Sequence, residues 1–171
     1  MKLKNTIRIF FSLLVMGLFV QQTQAQEEKP SPARTAKGSI NGANITVNYS
    51  SPAVKGRSIW GDLVPLGQVW RAGANEATTF ETDKDIKVQG ETLPAGKYSL
   101  FLIPDEYEPM MIFNKVHKQW GAFEYDQAED ALRVKVSPEG NEEMEERLVY
   151  NVTDDGLEVK WEYWKTKARI E

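Results

Sequence analysis

The feature that most constrains this chain is an apolar side chain at every second position, repeated in four separate runs. Ile45, Val47 and Tyr49 alternate with Thr46 and Asn48, and Leu132, Val134 and Val136 with Arg133 and Lys135. Leu148, Tyr150 and Val152 alternate with Val149 and Asn151, and Leu157, Val159, Trp161 and Tyr163 with Glu158, Lys160 and Glu162. Successive side chains of a strand point to opposite faces, so each run describes a strand with one face buried and one solvated, as antiparallel sheets require. Tyr98 to Ile103 and Met110 to Phe113 are apolar without alternation and read as strands buried on both faces. Turn chemistry separates the runs: Asn41-Gly42 as a type I′ hairpin, then Asp83-Lys84, Pro94-Ala95-Gly96, Pro138-Glu139-Gly140 and Asp154-Asp155-Gly156. No apolar stripe of helical period exceeds about two turns, and Ser58 to Val64 reads as a short helix or a wide loop. The pattern predicts an all-β fold, an antiparallel β-sandwich, jelly-roll-like or similar, of about eight to ten short strands. A loop-rich segment is expected near residues 51-75.

The start of the chain carries a different signal. Lys2, Lys4 and Arg8 form a positive leader, Ile9 to Val20 is apolar apart from Ser12 and Gly17, and Thr23-Gln24-Ala25 places small residues where a signal peptidase reads. The apolar run is shorter than the ~20 residues that span a bilayer. Residues 1-25 are therefore expected to be a signal peptide, 26-36 a polar linker containing Pro30 and Pro32, and 37-171 one β-sandwich domain. The expected destination is the periplasm or the exterior, after cleavage near Ala25. Gln26 follows the cut and the chain has no cysteine, which removes lipoprotein anchoring, disulfides and thiolate chemistry from consideration. The mature part would hold 18 basic and 25 acidic residues, a net charge of −7. That sign disfavours nucleic acid and anionic membrane as partners.

Residues 56 to 79 depart from the strand pattern. Glycines, two tryptophans (Trp60, Trp70), two arginines (Arg57, Arg71), Asn75 and Glu76 crowd into one loop-rich stretch, and loops carry function more often than strands. The segments Gly56-Arg57-Ser58-Ile59-Trp60-Gly61 and Val69-Trp70-Arg71-Ala72-Gly73-Ala74-Asn75-Glu76-Ala77-Thr78 resemble the core motif of the domain of unknown function 2911 family. Leu93-Pro94-Ala95-Gly96-Lys97-Tyr98-Ser99-Leu100, Phe113-Asn114-Lys115, Gln119-Trp120-Gly121, Tyr125-Asp126 and Asp130 extend the resemblance over nearly the whole mature chain. It implies an exported protein of Bacteroidetes-like bacteria and brings no activity with it.

The chemistry must come from the residues themselves. Arg57 and Arg71 present planar donor forks for a carboxylate or phosphate. Trp60 and Trp70 offer flat faces to a sugar, an aromatic ring or a cation. Asn75 and Glu76 add directional polar groups, and Lys97 and Trp120 follow nearby turns. Together they outline a site for a small polar, anionic or carbohydrate-like ligand. The competing structural reading pairs Arg71 with Glu76, uses Asn75 to bond turn amides and sends the tryptophans to the core. A hydrolase would need Glu76 to meet Asp126 or Asp130 across a cleft. A third reading is a structural or protein-interaction module of the cell envelope, with Trp161 facing inward and Trp164 outward by strand parity.

Other motifs are weaker. Gly90 to Lys97 lacks P-loop spacing and the hydroxyl residue, and reads as a turn. His117 is the only histidine, so neither a zinc site nor a serine-hydrolase triad is expected, and no cofactor is called for. Glu142 to Glu146 reads as a solvated strand entrance. The Asn-x-Ser/Thr strings at Asn44, Asn48 and Asn151 have meaning only in a eukaryotic secretory pathway.

Overall fold

A computed structural model describes residues 30–171. The signal-peptide reading of residues 1-25 and the first part of the linker reading lie outside the described residues. Ten strands follow: β1 Ala33–Ile40, β2 Ala43–Ser50, β3 Thr78–Thr82, β4 Ile86–Val88, β5 Glu91–Leu93, β6 Gly96–Ile103, β7 Met110–Asn114, β8 Asp130–Lys135, β9 Ser137–Thr153 and β10 Gly156–Arg169. A single 3-10 turn, Gln127–Glu129, precedes β8. The fold is all-β with antiparallel sheets. One sheet has six strands in the order β1-β2-β3-β6-β7-β8, and β9–β10 and β4–β5 form two-stranded hairpins.

The alternating runs became strands that bury the residues the pattern selects. Ile45, Val47, Phe80, Leu100, Phe113, Leu148, Leu157, Val159 and Trp161 are almost wholly buried in one core between the six-stranded sheet and the β9–β10 hairpin. Each such side chain contributes ~1.5–3 kcal/mol on burial. β6 and β7 are buried on both faces, as their unbroken apolar runs require. Their outer face carries a second small cluster, Ala77, Phe101 and Ile112, with Tyr125 and Ala122 packed over it. The Asn41-Gly42 turn joins β1 to β2 with positive φ at both residues (50° and 77°), the requirement of a type I′ turn. Ser58 to Val64 is a wide loop closed by a Trp60–Val64 bridge, with no helix.

Three expectations are corrected. β1 begins at Ala33, inside the stretch read as a linker; Arg34, Thr35 and Lys37 show no apolar alternation because this is an edge strand with solvated side chains. β9 and β10, at 17 and 14 residues, are long rather than short. The acidic stretch Glu142 to Glu146 lies within β9, mostly unburied, and meets β10 through the Glu145–Glu162 pair between two register shifts. Third, the parity that sent Trp164 outward fails. Glu162 has φ 57° and the β9–β10 register shifts on both sides of it. The extra residues of both shifts lie in β9 (Val149 to Glu145 against Lys160 to Glu162, then Glu145 to Gly140 against Glu162 to Trp164), and in β10 the left-handed Glu162 itself breaks the alternation. Trp161 and Trp164 therefore both reach Trp60, and Tyr163 is 60% exposed instead.

The bulged hairpin coils until its far end returns to its tip. The Ile170 amide donates to the Asp155 carbonyl at 2.9 Å, and a Cβ on Gly156 would lie 2.3 Å from the Ala168 carbonyl oxygen. Lys87 and Glu171 exchange backbone hydrogen bonds of 2.8 and 2.9 Å, which attaches the β4–β5 hairpin to the same layer.

Candidate functional site

The segment between β2 and β3 holds itself by a few long-range bonds. Trp70 exchanges backbone hydrogen bonds with Leu102 (2.7 and 2.9 Å), so residue 70 continues the sheet beyond the end of β3. The chain then turns sharply. Ala72, fully buried, adopts φ 53° and Asn75 φ 61°. For a residue with a Cβ the left-handed region costs ~1–2 kcal/mol, and it persists only where the surroundings fix it. Here the Ala72 carbonyl accepts from the Tyr150 hydroxyl at 2.7 Å and the Thr78 hydroxyl at 2.8 Å. Burial pushes the Tyr150 phenol well above its ordinary pKa, so it stays a donor. Gly73 follows because a Cβ there would meet Thr78 Oγ1 at 2.8 Å and the Ser50 carbonyl at 3.1 Å.

This pinned turn presents Arg71 and Asn75 to a cleft of about 220 Å³, completed by Arg57, Trp70, Pro52 and Trp161. Arg57 donates to the carbonyls of Val54 and Ala53. Arg71 donates to the Asn75 carbonyl at 2.9 Å and lies 5.9 Å from the Phe123 ring centre. Among the described residues neither guanidinium is paired with a carboxylate, so the Arg71–Glu76 pair of the structural reading does not form. Asn75 Nδ2 donates to Ser50 Oγ at 3.2 Å, the side-chain bond it makes in place of accepting from a turn amide.

The remaining candidates are elsewhere. Trp60 does not line this cleft. It packs edge-on against Trp70 and Trp161 (5.9 Å each) and obliquely against Trp164 (4.7 Å), while Trp70 stacks on Trp161 at 5.8 Å and 14°. The indole N–H groups of Trp60 and Trp161 are buried without a hydrogen-bond acceptor, and within this cluster only π faces are left to receive them. Trp70 is thus half core and half cleft wall. Lys97 sits at the start of β6 opposite Glu81, its ammonium 3.4 Å from that carboxylate. Glu76 and Trp120 face each other across an isolated antiparallel bridge and line a different depression with His117.

The carboxylates of the hydrolase reading do not converge. Asp130 accepts from Asn114 (2.9 Å), the Tyr125 hydroxyl (2.7 Å) and Arg133 (3.1 Å). Its charge and burial together push the Tyr125 phenol upward, burial first. Asp126 caps the 3-10 turn through the Ala128 amide at 2.9 Å. Neither lines the two depressions that Glu76 borders on the sheet face. Among the described residues there is no cluster of three or more acids and histidines able to hold a metal ion.

The scaffold and its motif segments can now be set beside known proteins. A family model described as protein of unknown function, DUF2911, matches residues 31–170. The chain belongs to the DUF2911 family. No curated protein matches it, and no solved structure does. The residues through which this DUF2911 chain builds its cleft include several to which the sequence assigned no part in a site. Tyr150 and Thr78 pin the turn, Trp161 closes the back wall and Gly73 permits the approach. Tyr150 and Trp161 read as ordinary core positions of alternating strands, and only their partners reveal the second task.

Proposed function

We propose that this protein is an exported module that binds a small anionic, acceptor-rich ligand in the cleft between Arg57, Trp70, Arg71 and Asn75. The observation that carries the reading is that two guanidiniums edge one cleft and neither is neutralised by a carboxylate among the described residues. In a chain with more acids than bases this is a local reversal of sign. Each guanidinium spends only part of its five donors on backbone carbonyls. What remains suits a carboxylate or phosphate, with Trp70 supplying an apolar wall. The strained, doubly bonded Ala72 fits the same reading, because a turn held against its own preference positions Arg71 before ligand arrives.

The test is a thermal-shift and calorimetric screen of the mature chain against small mono- and dicarboxylates and inorganic phosphate. Saturable binding should fall with rising salt and be lost in Arg71→Gln and Arg57→Gln. Arg71→Lys should weaken it too, since a single ammonium cannot form the forked contact. Binding unchanged in both glutamine variants, or no binding by any of these anions, refutes the proposal. Export is checked separately: cell fractionation should recover a chain beginning at Gln26.

A second reading has one observation in its favour. Leu66 (40% exposed) and Tyr163 (60% exposed) flank Trp60 and Trp164 around a largely apolar depression. Such a patch suits a protein partner in the envelope. Self-association lost in Tyr163→Ser, read by analytical ultracentrifugation, would favour that role.

A further inference from the structure

On its outer face the six-stranded sheet is only half covered. Residues 116 to 125 lie over β6 and β7, sealing Phe101 and Ile112, whereas the outer face of β1, β2 and β3 stays open. Across the open half runs a straight cross-strand row: Thr35 opposite Asn48, Asn48 opposite Thr79, and Thr79 opposite Ser99. Every member is polar. The Thr35 hydroxyl donates to Asn48 Oδ1 at 2.8 Å. The Asn48 amino group and the Thr79 hydroxyl have no protein partner among the described residues.

Two shallow depressions of about 370 and 430 Å³ lie over this row and meet at Glu76, Ala77 and Thr79. They make one groove with a wall at its end. The wall is Trp120, 56% exposed. That exposure is built in, because the backbone beneath the ring is fixed on both sides: Ala77 N–H donates to Gln119 O and Gly121 N–H to Asn75 O, each at 3.1 Å. Glu76 and Trp120 are therefore a non-hydrogen-bonded cross-strand pair, the class in which side chains stand closest and on one face. A carboxylate is held beside a fixed, exposed indole.

We infer that this groove is a second binding site, distinct from the arginine cleft, and that it takes a short neutral glycan chain. The indole offers a flat face to the C–H side of a pyranose, and Glu76 accepts from its hydroxyls. The row of Thr79, Asn48 and Thr35 advances by ~4.8 Å per strand, the scale of one sugar ring, and supplies donors and acceptors in turn. A Trp–carboxylate pair also suits an organic cation, but the lining of the groove balances Arg34 and Lys118 against Glu76 and Glu124 and carries no net charge to hold one. The mixed lining matches a ligand that is polar, uncharged and long enough to cross two strands. This inference does not depend on ligand binding in the arginine cleft, and Arg57, whose side chain donates to the carbonyls of Val54 and Ala53, lines neither depression of the groove.

The experiment titrates the mature chain with cellohexaose, xylohexaose, mannohexaose and maltohexaose by calorimetry, with tetramethylammonium as the cationic probe. At least one hexaose should bind saturably, and Trp120→Ala should weaken it by ~10-fold or more. Glu76→Gln, a near-isosteric change at an exposed position, should weaken the same hexaose while leaving the melting temperature unchanged. Arg57→Gln should leave it bound. Absence of saturable binding by all four hexaoses up to ~10 mM overturns the inference. So does hexaose binding indifferent to both Trp120→Ala and Glu76→Gln, and so does binding of tetramethylammonium in their place. If Trp120→Ala fails to fold, Glu76→Gln decides alone.

Discussion

Removing both hydroxyls that reach the Ala72 carbonyl should cost more than the two separate removals combined. Tyr150→Phe deletes a 2.7 Å bond and Thr78→Val a 2.8 Å bond, both to the same buried oxygen. A buried neutral hydrogen bond is worth ~1 kcal/mol net, and each single variant leaves the oxygen its other partner. Each should therefore lose ~1 kcal/mol, a fall in melting temperature of about 2–4 °C for a domain of this size. The double variant strands a carbonyl that water cannot reach, at a residue already held at φ 53° and fully buried. An orphaned buried acceptor costs a further ~1–3 kcal/mol. The double loss should reach ~3–5 kcal/mol, with a coupling energy of at least ~1 kcal/mol. The assay is urea unfolding of the four proteins followed by both far-UV circular dichroism and tryptophan fluorescence. Losses that add within ~0.5 kcal/mol would show that the two hydroxyls do not share the task of holding Ala72, and the account of the pinned turn would be wrong.

Other expectations follow from single features. Trp161→Ala should destabilise by ~3–5 kcal/mol and collapse the near-UV circular dichroism, because Trp161 is 1% exposed and contacts both Trp60 and Trp70. Gly156→Ala should reduce soluble yield and stability measurably in expression and melting trials, since the added Cβ would lie 2.3 Å from backbone that belongs to the returning end of the hairpin. In acid, Asp83 and Asp155 should make their contributions visible. Hydrogen bonds from the Asn44 amide and side chain hold the Asp83 carboxyl below its ordinary pKa, and Lys167 and Thr153 do the same for Asp155. A depressed folded pKa means stability that is whole above the unfolded value of about 4 and lost as pH falls through the lower folded value. Urea midpoints should thus decline below about pH 4, and Asp83→Asn should flatten part of that decline.

How legible the fold was depends on which force held each strand. Where burial did, the sequence displays it: Ile45, Val47 and Tyr49 alternate because one face of β2 meets the core. Where pairing alone did, nothing shows. The start of β9, Ser137 to Gly140, is extended because residues 164 to 167 of β10 lie beside it, and the glutamates that follow meet β10 through the Glu145–Glu162 pair. The reversal of facing at the left-handed Glu162 is nearly silent for a related reason. Lys160, Trp161, Glu162 and Tyr163 satisfy a regular alternation as written, with only the adjacent Trp164 departing from it, and contact with Trp60 accompanies the reversed facing. Tertiary packing decided the facing of the very residues from which a partner surface was to be judged.

The same limit governed the sites. Glycines, arginines and tryptophans in residues 56 to 79 marked the region as special, but not that it divides. The division is made by bonds to residues far away in the chain: Trp70 to Leu102, Ala72 to Tyr150, Glu76 to Trp120. These fix successive parts of one short segment against different neighbours. Arg71 leaves the sheet on the side of the hairpin and enters the donor-rich cleft, whereas Glu76, past the strained turn, re-joins the sheet beside the 119–121 strip and faces the outer groove. Two positive-φ residues, Ala72 and Asn75, accomplish the change of side within four positions. A strand cannot make that turn without strain, and a flexible loop could not hold the two side chains apart. The conformational cost at Ala72 is therefore what separates a donor-lined cleft from a groove of mixed donors and acceptors, and the buried hydroxyls of Tyr150 and Thr78 are what offset it.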